Sequence, residues 1–424
     1  MPRFTILNDR RFWLFFAFAL TLLGFPRGIL LDWIYRTGSL TDLNHPGGAD
    51  FVTFWVAAKG ALSGHAGNLY DPSFFSRAMV DQFGEDFDMR WLYPPHFLLL
   101  IFPLGALPYS VAYTAFQAIG LVAFASLGIL APRRCEMSLW LVFAPTSILC
   151  LLVGQTALLV GALSIGAIFL WDRKPILAGV FLGLLTIKPQ FGVLIPLVLL
   201  IERRWLVIAS ATLTTCALVA FAGLVFGFDA WRDFILNIAG PQGDVLRANA
   251  KTFLEIQMSV YGGMRLAGFE ADTAMLTQIG VGSAAIIALI TTLRSAARRC
   301  TKLAMLVTST YLCVPYILFY DLAAPTFIAV WLYLGYGLEK GAGPVLSILL
   351  VLVATLSFVN GLTVAMGFSA GPLVFVALAT ALFFRAREES ARAPEHQRSP
   401  QPDETTPRAG DRPVLARESA ASWR

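Results

Sequence analysis

From Phe12 to Phe384 the chain is a succession of apolar runs separated by short breaks, and the breaks are rich in arginine and lysine. Backbone N–H and C=O groups that enter lipid find no water to bind, so such runs have to close their own hydrogen bonds as helices. Composition agrees: 57% of the 424 residues are hydrophobic, 14% are charged, and the mean hydropathy is +0.68. An all-α polytopic membrane protein follows, burying its apolar surface in the bilayer and in helix–helix contacts. The net charge of +5 reads as a surplus of basic loops, which leaves nucleic acid no role as a partner. Cys135, Cys150, Cys216, Cys300 and Cys313 are scattered, with neither a disulfide framework nor a metal-ligand spacing.

Asp9, Arg10 and Arg11 precede the first span, Phe12 to Leu31, which puts the N-terminus in the cytoplasm. That span lacks a small-residue cleavage site and is expected to be retained. Residues 32–91 then form an exterior loop. Within it Phe51, Phe54, Trp55, Ala58 and Leu62 recur at helical spacing, the pattern of an amphipathic helix at the membrane interface with Lys59 on its wet face. A second amphipathic piece runs from Asn68-Leu-Tyr-Asp-Pro72 to about Phe83. The next apolar run, 97–107, is short, interrupted by Pro103 and closed by Pro108. If it crosses, Pro132-Arg-Arg134, Asp172-Arg-Lys174, Glu202-Arg-Arg204, Arg294 to Lys302 and Lys340 all lie outside; if it dips in and returns, all face the cytoplasm. The positive-inside rule selects the dip.

Later spans then fall near 109–130, 137–152, 155–171, 176–187, 190–201, 206–226, 273–292, 303–319, 322–337, 343–359 and 361–384, about twelve in all with the first. A second exterior loop covers 227–272. Residues 1–384 are thus read as one membrane-embedded domain, and 385–424, rich in Arg, Glu, Pro and Ser, as a disordered cytoplasmic tail.

This topology gathers several polar residues on the exterior side. Asp50, which ends Asn44-His-Pro-Gly-Gly-Ala-Asp50, is open to close approach and has the chemistry of a general base; capping the following helix is its alternative role. Lys188 lies between apolar runs, where a cation costs roughly 2.5–3.5 kcal/mol and calls for a partner such as a lipid phosphate, unless it snorkels to the interface. Tyr93 and His96 flank the Pro94-Pro95 turn and can be brought into the same cavity. Gln155 reads as a substrate contact or a buried hydrogen-bonding amide, and Asp321 as a cap, a substrate contact or a second acid. Arg265 is a further candidate for a phosphate, whereas Arg247 and Lys251 read as solvated. His45, His65 and His96 share this side with Asp50 and Asp71, but their spacings fit no metal motif. No nucleotide-binding glycine loop occurs, and neither a metal nor a cofactor is expected.

With these residues in place, the chain resembles the polyprenyl-phosphate-dependent membrane glycosyltransferases of glycosyltransferase family 87 over about residues 45–335. The resemblance is carried by Asp50-Phe-Val-Thr-Phe-Trp-Val-Ala-Ala58, Leu69-Tyr-Asp-Pro72, Tyr93-Pro-Pro95, Phe102-Pro-Leu104 and Leu107-Pro108. Further on it is carried by Gly154-Gln155, Ala178-Gly-Val-Phe-Leu-Gly183, Ile187-Lys-Pro189 and Glu202-Arg-Arg-Trp205. It implies a GT-C-like bundle with an embedded element at 97–107 and Asp50 as catalytic base. It also implies a mannose or pentose donor carried on a polyprenyl phosphate, transferred with inversion to an envelope glycolipid or polysaccharide. The setting it implies is a bacterial plasma membrane with the site on the exterior face. Thr156 stands where the family pattern has Asn, and Tyr320-Asp321 where a His is frequent, which leaves the sugar open. A flippase or carrier of lipid-linked substrates and a polysaccharide polymerase or ligase are the alternative readings. A carrier needs polar groups facing each side in turn, and here they gather at one edge.

Overall fold

The computed structural model describes residues 9–24, 48, 50–84, 89–247, 251–335 and 343–393, the side chains of 238–252 excepted. Among them are twenty α-helices and no strand, apart from an isolated antiparallel bridge between Gln257 and Leu318. In order these are α1 (Arg10–Gly24), α2 (Phe51–Leu62), α3 (Pro72–Phe83) and α4 (Pro95–Ile101), the last running into a 3₁₀ turn, Phe102–Ala106. Then come α5 (Tyr109–Ser126), α6 (Arg134–Val142), α7 (Pro145–Val153), α8 (Ala157–Leu170), α9 (Pro175–Leu185), α10 (Ile195–Ile201) and α11 (Trp205–Phe226). Three helices, α12 (Phe228–Arg247), α13 (Lys251–Glu255) and α14 (Val260–Leu266), precede α15 (Ala271–Arg294), α16 (Arg299–Cys313) and α17 (Ala323–Tyr333). The chain closes with α18 (Pro344–Ala354), α19 (Leu356–Val364) and α20 (Ala370–Arg392). Pro72, Pro95, Pro145, Pro175 and Pro344 each open a helix, where a missing N–H is harmless and φ is preset.

Tyr109–Leu130, α11, α15 and α20 are long and apolar enough to cross a membrane. Two bent pairs, α6 with α7 (49°) and α18 with α19 (79°), bring the number to six if each pair is one span. Six further apolar helical stretches, α8 and α17 among them, are shorter. The chain is an all-α polytopic membrane protein.

The basic breaks share one end of the bundle. Arg10 donates to the Tyr333 carbonyl at 3.2 Å, and Arg11 and Arg133 reach Glu136 at 2.5 and 3.4 Å. Asp172 pairs with both Arg204 and Arg299. The C-terminal ends of α8 and α17 meet there, with Phe169 and Trp331 at 5.1 Å between ring centroids.

Residues 95–108 dip and return. The segment begins beside Tyr93, whose hydroxyl reaches Gln155 at 3.2 Å, and ends beside Tyr109, whose hydroxyl donates to the Gly48 carbonyl at 3.3 Å. Its turn lies on α2: Trp55 Nε1 donates to Leu107 O at 3.1 Å, and Gly105 packs on the Ala58–Lys59 backbone, where a Cβ would come within 2.7 Å.

The structure differs from the sequence reading in five places. Nine of the twelve residues of α2 are buried, so α2 is a core helix enclosed by protein rather than one lying on the interface, and Lys59 packs over the Trp55 ring. Ala57 and Ala58 are small enough to admit the dipping turn, which covers that face. Residues 227–272 are helical in α12, α13 and α14, not an open loop. The span expected to reach 319 stops at Cys313, because Pro315 holds Val314 extended (φ −89°, ψ 120°). The last expected span, 361–384, is broken at Gly367, which adopts φ +90° between α19 and α20. Helix α20 continues past Arg385 to Arg392, held by an Arg385–Glu389 pair at 2.9 Å and by Glu389 accepting from the Arg298 backbone N–H at 3.0 Å. The remaining tail, residues 394–424, lies outside the described residues, as do 25–47 and Lys340.

Candidate active site

Asp50 is the last residue before α2, and its backbone N–H donates to the Val153 carbonyl at 3.0 Å, tying the start of α2 to the end of α7. Gly154 follows Val153 in the left-handed region (φ +84°), and a Cβ there would lie 2.7 Å from Phe51 Cβ. Only glycine lets the two segments meet so closely.

The Asp50 side chain makes no cap on α2. Its Oδ2 instead accepts from Gln155 Nε2 at 2.7 Å. Asp71, by contrast, does cap its helix, accepting from Ser73 N at 2.8 Å; the Ser73 hydroxyl, which donates to the same oxygen at 2.7 Å, and then this N–H hold its carboxyl below the ordinary value. The capping bond weighed for Asp50 is thus not made.

Gln155 is the hub of the cluster. Its amide also donates to the Tyr320 hydroxyl at 3.2 Å. Its carbonyl oxygen accepts from the Tyr93 hydroxyl at 3.2 Å, Thr156 N at 3.1 Å and Lys188 Nζ at 3.5 Å. Lys188 Nζ lies 3.0 Å from Asp321 Oδ1, an ion pair whose side chains are only 10% and 3% exposed. Three rings surround this ammonium, Tyr93, Phe191 and Tyr320, with centroids at 5.8, 5.9 and 5.6 Å. Asp321 is fixed from its far side, since Oδ2 accepts from Leu318 N at 3.3 Å and its carbonyl accepts from the Tyr311 hydroxyl at 2.5 Å. The irregular 314–322 segment that carries Tyr320 and Asp321 is pinned to the start of α14, with Met258 N on Ile317 O at 2.8 Å and Phe319 N on Ile256 O at 3.0 Å.

Asp50, Tyr93, Gln155, Lys188 and Asp321 thus form one network, although they are scattered along the chain. His96 stands beside it: Nε2 shares a hydrogen bond with Thr186 Oγ1 at 3.1 Å, and the ring stacks on Trp231 at 5.7 Å. Its Nδ1 has no hydrogen-bond partner among the described residues. The Arg265 guanidinium donates to the Phe269 carbonyl at 3.0 Å, within its own turn of chain. Sequence reasoning did not single out Trp231, which lies in a stretch read as loop. It marked Tyr320 only as the neighbour of Asp321.

Asp50 lies outside the helices long and apolar enough to cross a membrane. Burial pushes its carboxyl above the ordinary value of 3.8, opposed by the Gln155 and Tyr320 hydrogen bonds and the Lys188 charge. His65 lies against Phe74 and His96 against Trp231, and among the described residues no three His, Cys, Asp or Glu side chains could hold a metal ion. His45 lies outside the described residues.

Residues 91–315 match glycosyltransferase family 87. Tyr93, His96, Gln155, Lys188 and Arg265 fall inside the matched segment, and Asp50 and Asp321 on either side of it. The chain is 28% identical over 264 residues to a polyprenol-phosphate-mannose-dependent alpha-(1-2)-phosphatidylinositol pentamannoside mannosyltransferase of Mycolicibacterium smegmatis (strain ATCC 700084 / mc(2)155). That alignment covers 58% of this chain and 60% of that protein. No solved structure matches.

Proposed function

Because the chain belongs to glycosyltransferase family 87, we propose that it moves a single sugar from a polyprenyl-phosphate donor to an envelope glycolipid or polysaccharide, with Asp50 as general base. The observation that carries the reading is the Asp50–Gln155–Lys188 chain, in which one amide touches a carboxylate at 2.7 Å and an ammonium at 3.5 Å. A base and a cation on either side of one small group are what a displacement at a sugar phosphate requires. The similarity to a polyprenol-phosphate-mannose-dependent enzyme favours mannose over a pentose.

In this reading Asp50 Oδ1, the oxygen that Gln155 does not take, receives the proton of the acceptor hydroxyl. The acceptor oxygen bonds to the anomeric carbon from the face opposite the phosphate. The bond from that carbon to the phosphate oxygen breaks, its electron pair leaves on polyprenyl phosphate, and the configuration inverts. The donor is a phosphodiester with one negative charge and the leaving group a monoester that gains a second. Lys188 therefore attracts the transition state more strongly than the donor, which is the condition for lowering the barrier. Until the donor arrives, Asp321 keeps the ammonium charged and aimed, and Tyr93 and Tyr320 wall it from water.

The membrane-embedded domain of residues 1–384, the exterior setting of the Asp50 end in a bacterial plasma membrane and the cytoplasmic setting of both termini belong to the same reading. It is supported by the basic breaks gathering at the opposite end. His96 and Arg265 are proposed to contact the substrate from outside the network.

The test is transfer by the purified chain from radiolabelled polyprenyl-phosphate mannose, wild type against Asp50→Asn. A loss of at least about 10²-fold with the fold retained is expected for removal of a general base. Normal transfer by Asp50→Asn would remove the central claim.

A further inference from the structure

A polar cavity lies at the other end of the bundle from Asp50. Helix α8 starts beside Gln155 and ends beside Trp171, and its fourteen residues separate the two ends by about 21 Å. The cavity has a volume of about 270 Å³, and its lining includes Trp171, Glu202, Arg204, Arg299, Lys302 and Leu303.

Its charges do not balance. Arg204 pairs with Asp172 and, at 3.1 Å, with Glu202; Arg299 pairs with the other oxygen of Asp172. Three cations thus face two carboxylates, and Lys302 has no carboxylate within ion-pair distance among the described residues. Lys302 is half-buried against Trp171 and Leu303, which are 2% and 5% exposed. A cation in such a setting calls for an anion. The site also borders lipid: Trp205 and Leu206, immediately after Arg204, are 61% and 53% exposed at the start of the long apolar helix α11. Basic pockets between membrane helices suit phosphate headgroups. The volume lies at the low end of the roughly 300–1,000 Å³ of pockets for larger ligands and suits a small headgroup.

We propose that this cavity binds a phosphate-bearing anion, the headgroup of a membrane lipid or free phosphate, with Lys302 as its principal ligand and Arg204 and Arg299 as flanking donors. The site is independent of Asp50 and of the transfer reaction. A phosphate held there would join α8, α10, α11, α15 and α16 through one ligand.

The test is thermal unfolding of the full chain in detergent with added phosphatidylglycerol, phosphatidylcholine or inorganic phosphate. Wild type, Lys302→Gln and Lys302→Arg are compared, with Leu303→Phe as a variant that narrows the cavity without removing charge. Phosphatidylglycerol or inorganic phosphate is expected to raise the wild-type transition. That rise should fall to less than about half in Lys302→Gln and in Leu303→Phe and persist in Lys302→Arg. Phosphatidylcholine should have no effect. A rise with phosphatidylglycerol alone assigns the site to lipid, and a rise with both shows that the free anion suffices. Equal rises in wild type and Lys302→Gln, or no rise with either anion, would overturn the proposal.

Discussion

A single amide, Gln155, acts on the ionisation of Asp50 as well as on its position. Burial favours the protonated carboxyl, and the Gln155 hydrogen bond opposes burial. Because the base works only when ionised, transfer is expected to fall as pH drops through a value above 3.8. Gln155→Ala removes a group that favours the anion, so its pH–rate profile should show that limb moved towards neutrality; an unmoved limb would count against the hydrogen bond. The sign for stability is opposite. A carboxyl whose pKa is raised by folding contributes stability that is full below 3.8 and is lost as pH rises through the raised value. Asp50→Asn, uncharged at every pH, should therefore melt no lower than wild type at neutral pH while losing transfer. Lys188→Met leaves Asp321 buried and unpaired, a loss of about 3–5 kcal/mol. Adding Asp321→Asn should recover the melting temperature but not transfer, which separates the structural role of Lys188 from its role in chemistry. An acid between glycines and an aromatic helix was visible in the sequence, but its two possible roles were not separable there. The structure leaves the capping bond unmade and turns Oδ2 to an amide 105 residues away.

At the scale of elements, the return of residues 95–108 to the end of the bundle they leave was legible because one choice of topology inverts every basic break and the other leaves them together. The burial of α2 was not, since Phe51, Trp55 and Lys59 at helical spacing fit a wet face as well as a packed one. The helix α12 was hidden by Asp229, Arg232 and Asp233, whose charges suggest a loop, although Phe228, Trp231 and Phe234 mark an apolar stripe. Trp231 and Phe234 use that stripe to cover His96 and Tyr70, at 5.7 and 5.6 Å between rings. The dip leans on Gly105, whose missing side chain lets the turn reach the α2 backbone. Gly105→Ala should destabilise by about 1–3 kcal/mol, the range for overpacking, and be read as a lower thermal transition. An unchanged transition would mean that the contact is loose.

For the whole molecule, the division into an acidic-site end and a basic end yields a labelling experiment. With the other native cysteines replaced, a membrane-impermeant maleimide should modify a cysteine in place of exposed His65 in intact cells. It should modify exposed Cys135, beside Arg134, only after permeabilisation. The reverse pattern would invert the proposed orientation. The length of one helix bears on how reactants would arrive. Helix α8 rises about 21 Å, whereas an undisturbed hydrocarbon layer is about 30 Å thick. Helices α11 and α15, at 22 and 24 residues, are long enough for the full layer, so in the proposed orientation the Asp50 end of α8 would lie beneath the headgroup plane. On the proposed function, a sugar tethered to a long apolar chain would reach Asp50 by drifting sideways within the lipid sheet, a search in two dimensions. A water-borne sugar would first have to give up its hydration, so a site at that depth would select the proposed donor before any side chain touched it.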